Sequence, residues 1–446
     1  MRSARTLLLG ALVLGACGDG GGSTVDPVLI PGGGASSGPI DGVLHVYVID
    51  KYSDTPVVGA SVRVETADPA APVVVTTDAT GLASFPDVQG PQTVTITAAG
   101  YRTSTAIGLD AANFTSEIEP AADPAPQSGH VSGTITGWDD LAAPATNHLS
   151  IGIVVFSQTT DFDDPANGVE QPAEDPPPNA CFRTEAAAPP CAWDLDTRVG
   201  PQALFAVLAD VDTMGTPGDE DNVLTPTGLA YRRGLDVTAG ATLTNQDLTI
   251  IPEAGFVDMT VGFEAAPAGL TDVGAFAVIR LGDEGQLPLA FSAATPEDST
   301  ISVPALTGDL STASFELFAT ARSETASTTV LVPTAQPGTV AVGPWMATPA
   351  SPSATAGTYA FQRVPGASVH SVSLSDADGE VWAITILDET TSFTLPALAT
   401  DPLPTGELTM QVSAIELEGF DPREFRVDEV RDAIRRSAEN SITFTH

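Results

Sequence analysis

Short segments in which apolar and polar residues alternate recur along this chain and limit what it can fold into. Residues 44–48, 60–65 and 93–97 each place an apolar side chain at every second position, which is the period of a β-strand with one buried face. Turn-forming stretches rich in Asp, Pro and Gly separate such segments, as at residues 54–59 and 78–81. The pattern therefore predicts an all-β fold.

The length of the chain sets how many domains this pattern can build. A β-sandwich takes roughly 100 residues, so 446 residues leave room for about four such domains in tandem, with one short C-terminal helix. The second domain carries a long polar insert at residues 158–190. The predicted division is a signal peptide at 1–16, a flexible tether at 17–40, and β-sandwiches at 41–120, 128–252, 253–340 and 345–446.

The first residues have the pattern of a bacterial export signal. Arg2 and Arg5 precede a short apolar run at residues 7–14, which is too short to remain as a membrane-spanning helix. The run ends in Leu14-Gly15-Ala16-Cys17, which resembles the lipobox of bacterial lipoproteins. That resemblance implies cleavage before Cys17 and lipidation of its sulfur. The alternative is an ordinary cleaved secretory signal with an incidental cysteine.

The residues after the lipobox predict how the protein is held at the cell envelope. Two or more acyl chains anchor a protein stably, whereas one chain gives only marginal membrane affinity. Gly18, rather than Asp, follows Cys17, and in the lipoprotein family this favours the outer membrane over the inner one. Because residues 18–40 are rich in Gly and Ser, we expect them to form a flexible tether.

A series of short motifs within residues 41–120 has a distinctive order and spacing. The motifs are Asp54-Thr55-Pro56, Gly59-Ala60-Ser61-Val62, Thr77-Asp78, Gly81, Phe85 and Gly100-Tyr101. Together they resemble the carboxypeptidase regulatory-like family, which has a transthyretin-like β-sandwich. The resemblance implies a folding or interaction module without catalytic residues of its own.

The last predicted domain, residues 345–446, has a second set of motifs. They are Tyr359-Ala360-Phe361, Val364-Pro365-Gly366-Ala367, Val372, Leu374, Trp382, Thr391 to Pro396 and Leu408 to Ala414. This set resembles a fibronectin type III domain, which implies an immunoglobulin-like β-sandwich.

A helix is predicted at residues 422–437, inside the last domain. Asp421 suits the N-cap and Pro422 the first helical position. Val427, Val430 and Ile434 then fall on one face. We expect the helix to pack on the last sandwich, and the alternative is a helix that binds a partner.

The formal net charge of −40 excludes some classes of partner. Nucleic acids and anionic lipid surfaces both require a basic face on the protein. We therefore predict no nucleic-acid partner. A strongly acidic surface favours solubility, binding of divalent cations, or a salty habitat.

One acidic stretch has the spacing of a calcium loop. Asp210, Asp212, Gly215 and Asp221 occupy the first, third, sixth and twelfth places of an EF-hand-like loop, and Asp219 lies close by. Four carboxylates, those of Asp210, Asp212, Asp219 and Asp221, are thus the candidate ligands of a low-affinity calcium ion. The alternative is a solvated acidic turn without any cofactor.

Cys181 and Cys191 are the two cysteines that remain once Cys17 is assigned to the lipid anchor. Export to an oxidising compartment favours a disulfide between them, and closing so short a loop stabilises the fold by roughly 2.5 to 3 kcal/mol in the chain-entropy model. The alternative is a pair of free thiols.

The sequence predicts a protein that is not an enzyme. Its five histidines are scattered without the spacing of a zinc site, so a catalytic constellation would have to be assembled by the fold alone. The predicted function is a membrane-anchored envelope lipoprotein with a non-catalytic binding, adhesion or scaffolding role and an unknown protein or glycan partner. The alternative function is a glycan-binding lipoprotein that serves polysaccharide uptake or degradation. Its sugar platform would use Trp138, Trp193, Trp345 and Trp382, for which core packing is the ordinary role.

Overall fold

The computed structural model confirms an all-β protein built from tandem β-sandwiches. Among the residues it describes, one α-helix and four short 3-10 helices accompany the strands, and no helix is long and apolar enough to cross a membrane. The predicted signal peptide and Cys17 lie outside the described residues. The described residues are 25–65, 71–161, 164–174, 176–185, 187, 189–213, 223–251, 255–334 and 336–446.

Module 1, residues 25–120, is a sandwich of two sheets around one core. One sheet has the order β1-β8-β2-β5 and the other has the order β7-β6-β3-β4. The alternating positions predicted to face inwards do so, since Leu44, Val46, Val62 and Ile96 are buried in this core. The strands are β1 (Gly34–Ser36), β2 (Asp41–Asp50), β3 (Ser61–Val64), β4 (Val73–Thr76), β5 (Leu82–Gln89), β6 (Gln92–Thr97), β7 (Thr103–Leu109) and β8 (Asn113–Ile118).

Module 2, residues 128–251, forms an eight-stranded sheet with the strand order β11-β10-β13-β14-β16-β9-β12, and β15 also pairs with β9. Its 3-10 helices are Trp138–Asp140 and Pro165–Asn167. The strands are β9 (Ser128–Thr136), β10 (His148–Phe156), β11 (Ala180–Arg183), β12 (Ala192–Arg198), β13 (Gly200–Asp212), β14 (Val223–Val237), β15 (Thr242–Leu243) and β16 (Leu248–Ile251).

Module 3, residues 255–342, has a three-stranded sheet, β20-β17-β23, and a four-stranded one, β19-β18-β21-β22. Short 3-10 helices form at Gly282–Glu284 and Gly308–Thr312. The strands are β17 (Phe256–Phe263), β18 (Asp272–Arg280), β19 (Gln286–Ala294), β20 (Thr300–Pro304), β21 (Ser314–Arg322), β22 (Ala326–Thr334) and β23 (Thr339–Val342).

Module 4, residues 345–446, also pairs a three-stranded sheet, β24-β25-β28, with a four-stranded one, β31-β29-β26-β27. A short helix, α1, interrupts its last part. The elements are β24 (Ala350–Thr355), β25 (Thr358–Gln362), β26 (Val369–Asp376), β27 (Gly379–Ile386), β28 (Ser392–Thr394), β29 (Glu407–Leu417), β30 (Phe425–Arg426), α1 (Val427–Ala433) and β31 (Ile434–Thr445).

The four-stranded sheets of modules 3, 4 and 1 join into one sheet of twelve strands. Strand β22 of module 3 pairs antiparallel with β31 of module 4, and β27 of module 4 pairs in parallel with β7 of module 1. Module 4 therefore lies between modules 3 and 1, although it is last in the sequence. Backbone hydrogen bonds across both joints satisfy strand edges that separate domains would leave open.

The described part of the predicted tether, residues 25–40, is folded, and this corrects the expectation of a flexible segment. The backbone N–H of Val28 donates to the Asn113 side chain at 2.8 Å, and that of Ile30 donates to the Thr115 hydroxyl at 3.0 Å. Ile30, like two further apolar residues of this stretch, is buried. The Gly-rich composition wrongly predicted a flexible segment, because this segment is held mainly by hydrogen bonds of its backbone and buries few side chains.

Glycine is used here for close packing. Strand β1 pairs with β8 on one side and with β30 on the other. A Cβ atom at Gly34 would lie 2.2 Å from the backbone oxygen of Phe425, so only glycine allows the first and last parts of the chain to approach this closely.

The predicted helix at residues 422–437 is also corrected. The helix spans Val427–Ala433 and its N-cap is Arg426, not Asp421. Residues from Ile434 onwards continue as β31, which pairs along the length of β29. Long-range strand pairing has overridden the local helical pattern, and Asp421 instead accepts a hydrogen bond from the backbone N–H of Arg423 at 2.9 Å.

Candidate functional site

The predicted disulfide is present in module 2. Cys181 and Cys191 are bonded, with their Cα atoms 5.3 Å apart, and both are buried in the core of this module. The bond closes the end of the insert between β11 and β12. Gln171, further back in the insert, donates to the backbone oxygen of Asp196 on β12 at 2.6 Å, so the described parts of the insert are fastened to the sheet.

Of the four predicted calcium ligands, Asp210 and Asp212 belong to the described residues. Asp210 and Asp212 are on β13 and their backbone is extended, which differs from the loop conformation expected of an EF-hand-like site. Asp219 and Asp221 lie outside the described residues. Within the described ranges, no group of three His, Cys, Asp or Glu side chains is placed to hold a metal ion. The calcium site stays a prediction.

Asp210 and Asp212 instead share a histidine on the neighbouring strand. Nδ1 of His148 is hydrogen-bonded to the Asp210 carboxylate, and its Nε2 lies 3.9 Å from the Asp212 carboxylate. The hydrogen bond to Asp210 raises the pKa of His148 above its ordinary value. This cluster is a half-buried polar pairing across β10 and β13.

Three of the four tryptophans are buried and offer no face for sugar stacking. Trp138 and Trp193 lie in the core of module 2, and Trp382 lies in the core of module 4. Trp345 is half-buried, and its indole N–H donates to the backbone oxygen of Glu264 at 3.0 Å. The predicted core role therefore describes these side chains better than the sugar platform does.

Aspartates in the Pro- and Gly-rich loops have structural roles. Asp161 forms an ion pair with Arg431 at 3.2 Å. Asp164 caps the 3-10 turn that follows it, accepting from the backbone N–H of Ala166 at 2.9 Å. Asp376 accepts from backbone N–H groups in the hairpin turn between β26 and β27.

A largely apolar concave site, a cavity of about 240 Å³, lies between modules 1 and 4. Strands β7 and β8 form its module 1 side, and β26, β27, β29 and α1 form its module 4 side. The sequence reveals part of it, because Val427, Val430 and Ile434, predicted to share an apolar face, all line the cavity. Most other lining side chains are apolar, aromatic or small hydroxylic residues: Ser104, Thr105, Ala106, Phe114, Thr115, Ser116, Val369, Thr385, Leu387, Ile415, Leu417, Phe420 and Phe425.

Among the described residues that line this cavity, Glu117 on β8 is the one acidic residue. Burial raises its pKa to about 7, against the opposing influence of Arg431 and Lys51, and Asp54 and Asp428 raise it further. No residue in the described ranges forms a hydrogen bond or an ion pair with the Glu117 carboxylate. A titratable group in an apolar cavity with a strongly shifted pKa is a candidate functional group.

Sequence reasoning missed Glu117, although a signal exists. Five of the six residues of β8 are buried, so both faces of this strand are covered and Glu117 is the exception. A charged residue inside a strand that is covered on both faces needs a partner or a function. The charge of Glu117 stands out only once β8 is known to lie between β1 and β2 in the middle of its sheet.

Comparison with known proteins identifies part of the chain. Residues 43–119 match the carboxypeptidase regulatory-like domain family, which confirms the resemblance over module 1. Comparison with curated proteins gives no match.

Among solved structures, the chain is similar to the Bacillus anthracis TIE protein, with 10% identity over 68% of this chain and 50% of that chain and a TM-score of 0.15. It is also similar to the shaft pilin spaA of Lactobacillus rhamnosus GG, with 11% identity over 47% of this chain and 96% of that chain and a TM-score of 0.13. The chain thus spans half of the first of these proteins, and TM-scores this low carry no functional argument. What the comparisons give is a similarity of residues 43–119 to the carboxypeptidase regulatory-like domain family, within a longer all-β chain.

Proposed function

We propose that this protein is a lipid-anchored cell-envelope protein with a non-catalytic binding, adhesion or scaffolding role. The observation that carries the proposal is the Leu14-Gly15-Ala16-Cys17 sequence after a basic start and a short apolar run. Cys17 is the lipidated residue in this proposal, and the outer membrane is the favoured location.

The architecture of the described residues supports a scaffolding role. Twelve strands from three modules form one hydrogen-bonded sheet, so modules 1, 3 and 4 are held in fixed relation by backbone pairing. A carboxypeptidase regulatory-like domain at residues 43–119 and a fibronectin type III-like module at 345–446 fit a protein that presents surfaces. In this role the protein holds binding surfaces at a set position on the envelope.

The packing of residues 25–40 on module 1 places that module close to the proposed anchor. Only eight chain steps separate Cys17 from Val25, and a fully extended chain of that length reaches at most about 29 Å. Val25 is fastened to module 1 through its backbone oxygen, which lies 3.0 Å from Nε2 of His45. An anchored protein would therefore have module 1 next to the lipid surface.

Replacing the proposed lipid acceptor tests the anchor. We expect Cys17→Ser to move the protein from the detergent phase to the aqueous phase and to abolish incorporation of labelled palmitate, because no sulfur remains to be acylated. Gly18→Ala is the matched control, since it keeps Cys17 and should leave partitioning unchanged. Unchanged detergent partitioning of the Cys17→Ser protein would contradict the proposal.

The membrane assignment has its own test. Gly18→Asp places an acidic residue directly after Cys17, and in the lipoprotein family this favours retention in the inner membrane. Separation of the two membranes on a density gradient should show the native protein in the outer fraction and the variant in the inner one. Finding the native protein in the inner fraction would overturn the assignment.

A further inference from the structure

Glu117 has no structural role that explains its position in the cavity between modules 1 and 4. Its carboxylate is half-buried and receives no hydrogen bond from the described residues. The charged groups that influence it are Lys51 and Asp54 after β2, and Asp428 and Arg431 on α1. An ionisable group taken from water without a partner costs free energy, so a carboxylate kept there requires another explanation.

The cavity wall exposes apolar surface that the fold itself does not cover. Phe425, Val427, Val430 and Leu387 line the cavity and are only partly buried. The module cores nearby are close-packed, and Leu374, for example, is fully buried. Partly exposed apolar side chains that converge on one cavity, with a few polar groups and one carboxyl among them, are typical of a small-molecule site.

The charge of the site selects the class of ligand. The cavity presents a carboxylate, and the whole chain has a formal charge of −40, which attracts cations and repels anions. Arg431, the basic residue of α1, is already paired with Asp161 of the module 2 insert at 3.2 Å. An anionic ligand therefore meets no unpaired cation on this helix.

We propose that this cavity binds a small amphiphilic molecule with an apolar body and an ammonium-type head. The body packs between Phe425, Val430 and Ile415, and the head donates hydrogen bonds to the Glu117 carboxylate. Helix α1 forms the outer wall and Arg431 ties it to the insert through Asp161. The inference does not depend on the lipid anchor, because none of these residues is near Cys17 in the sequence.

Calorimetric titration with hexylammonium tests the site on the full-length protein. We expect saturable binding of one molecule per chain, and Glu117→Gln should weaken it at least tenfold by removing the negative charge at constant size. Hexylammonium should also bind about tenfold more tightly at pH 8 than at pH 6, because a group that titrates near pH 7 loses its proton over this range. Glu429→Gln, an exposed carboxyl-to-amide change on α1 that does not line the cavity, is the matched control and should bind like the native protein.

Two comparison ligands, neutral 1-hexanol and anionic hexanoate, separate the contribution of the head from that of the body. Native protein and Glu117→Gln should bind 1-hexanol equally, and hexanoate should not bind at pH 8. Thr385→Leu, at an exposed position on the cavity wall, and Ser104→Leu should each reduce binding of hexylammonium and 1-hexanol by filling the space, with near-UV circular dichroism checking that both variants fold.

Three results would overturn the proposal. One is the absence of saturable hexylammonium binding by the native protein up to about 10 mM, a weak limit for a ligand of this size. The second is equal affinity of native protein and Glu117→Gln for hexylammonium. The third is undiminished binding in both folded cavity-filling variants, which would place the ligand elsewhere.

Discussion

Two joints between modules are built in different ways. At the joint of modules 2 and 3, Phe205 and Leu229 of module 2 lie in a core that is otherwise formed largely by module 3. Strand β13 is therefore buried on both faces over residues 202–206. At the joint of modules 1 and 4, β7 and β27 pair through their backbones and a cavity remains beside them. The first joint is filled by side chains. The second combines backbone pairing and the packing of Ile107 from β7 in the module 4 core with a cavity that is not filled.

The charged groups at the two joints show the same difference. Arg198 at the first joint is buried, and its guanidinium donates to the backbone oxygens of Ser157 and Pro201 at 2.8 Å and of Glu284 at 3.0 Å. Glu117 at the second joint has no such partner. Buried charged groups with satisfied hydrogen bonds are structural elements, whereas an unsatisfied one requires a separate explanation. Arg198 is therefore a structural residue that fastens modules 2 and 3, whereas Glu117 is a candidate ligand-binding group.

The largest expected effect breaks the filled joint. Phe205→Ala removes a fully buried ring, and a deletion of this kind costs about 3 to 5 kcal/mol of unfolding free energy. Because Phe205 belongs to the shared core, we expect hydrogen-exchange protection to fall in module 3 as well as in module 2. Denaturant unfolding and exchange mass spectrometry measure both effects.

Phe182→Ala is the control for this change. Phe182 is on β11 and is 36% exposed, so its loss should cost about 1 kcal/mol or less. If Phe205→Ala lowered protection in module 2 alone, the two modules would unfold independently and the idea of a shared core would be wrong.

The next effect is a pH dependence of the unfolding free energy that arises from Glu117, at the joint of modules 1 and 4. The pKa of Glu117 is raised from 4.5 to about 7 in the folded protein, so the folded state holds this proton where the unfolded state has lost it. Stability from this group is therefore present below pH 4.5 and is lost as pH rises towards 7. Because the carboxyl is only half-buried, solvent screening reduces the loss to on the order of 1 to 3 kcal/mol.

Unfolding free energies measured between pH 4 and pH 8 test this effect. Glu117→Gln cannot titrate and should lack this part of the decline, while Glu429→Gln should follow the native profile. Parallel profiles for native protein and Glu117→Gln would show that the Glu117 carboxyl titrates as an ordinary exposed group.

The sequence predicts strands better than it predicts how modules meet. The alternation at residues 44–48 and 93–97 identifies β2 and β6 because one face of each strand is buried by nearby segments of the same module. The near-continuous apolar run at 203–209 is typical of a strand buried on both faces. This run predicts that a second layer covers the strand, but it does not predict which module provides that layer.

The remaining errors arise where distant residues decide the local structure. Gly34 has the composition of a linker, yet its lack of a side chain is what admits the backbone of Phe425. Residues 434–437 have helical spacing, yet they pair with β29. Glu117 gains its importance from α1, more than three hundred residues later in the chain. None of these contacts has a local signal in the sequence.

The smallest expected effect concerns one side-chain hydrogen bond at the joint of modules 1 and 4. The indole N–H of Trp382 in module 4 donates to the hydroxyl of Thr105 in module 1 at 2.9 Å, and this bond is buried. A double-mutant cycle with Trp382→Phe and Thr105→Val should give a coupling energy of about 1 kcal/mol, the usual net value of such a bond.

Thr328→Val provides the control cycle. Thr328 is buried on β22, and β31, β29 and β26 stand between that strand and the one that carries Trp382. The effects of Trp382→Phe and Thr328→Val should therefore add within about 0.5 kcal/mol. Equal coupling in the two cycles would mean that Trp382 stabilises the sheet as a whole. Coupling confined to Thr105 would place that stabilisation at the joint itself, beside the cavity, because this hydrogen bond connects module 4 to module 1.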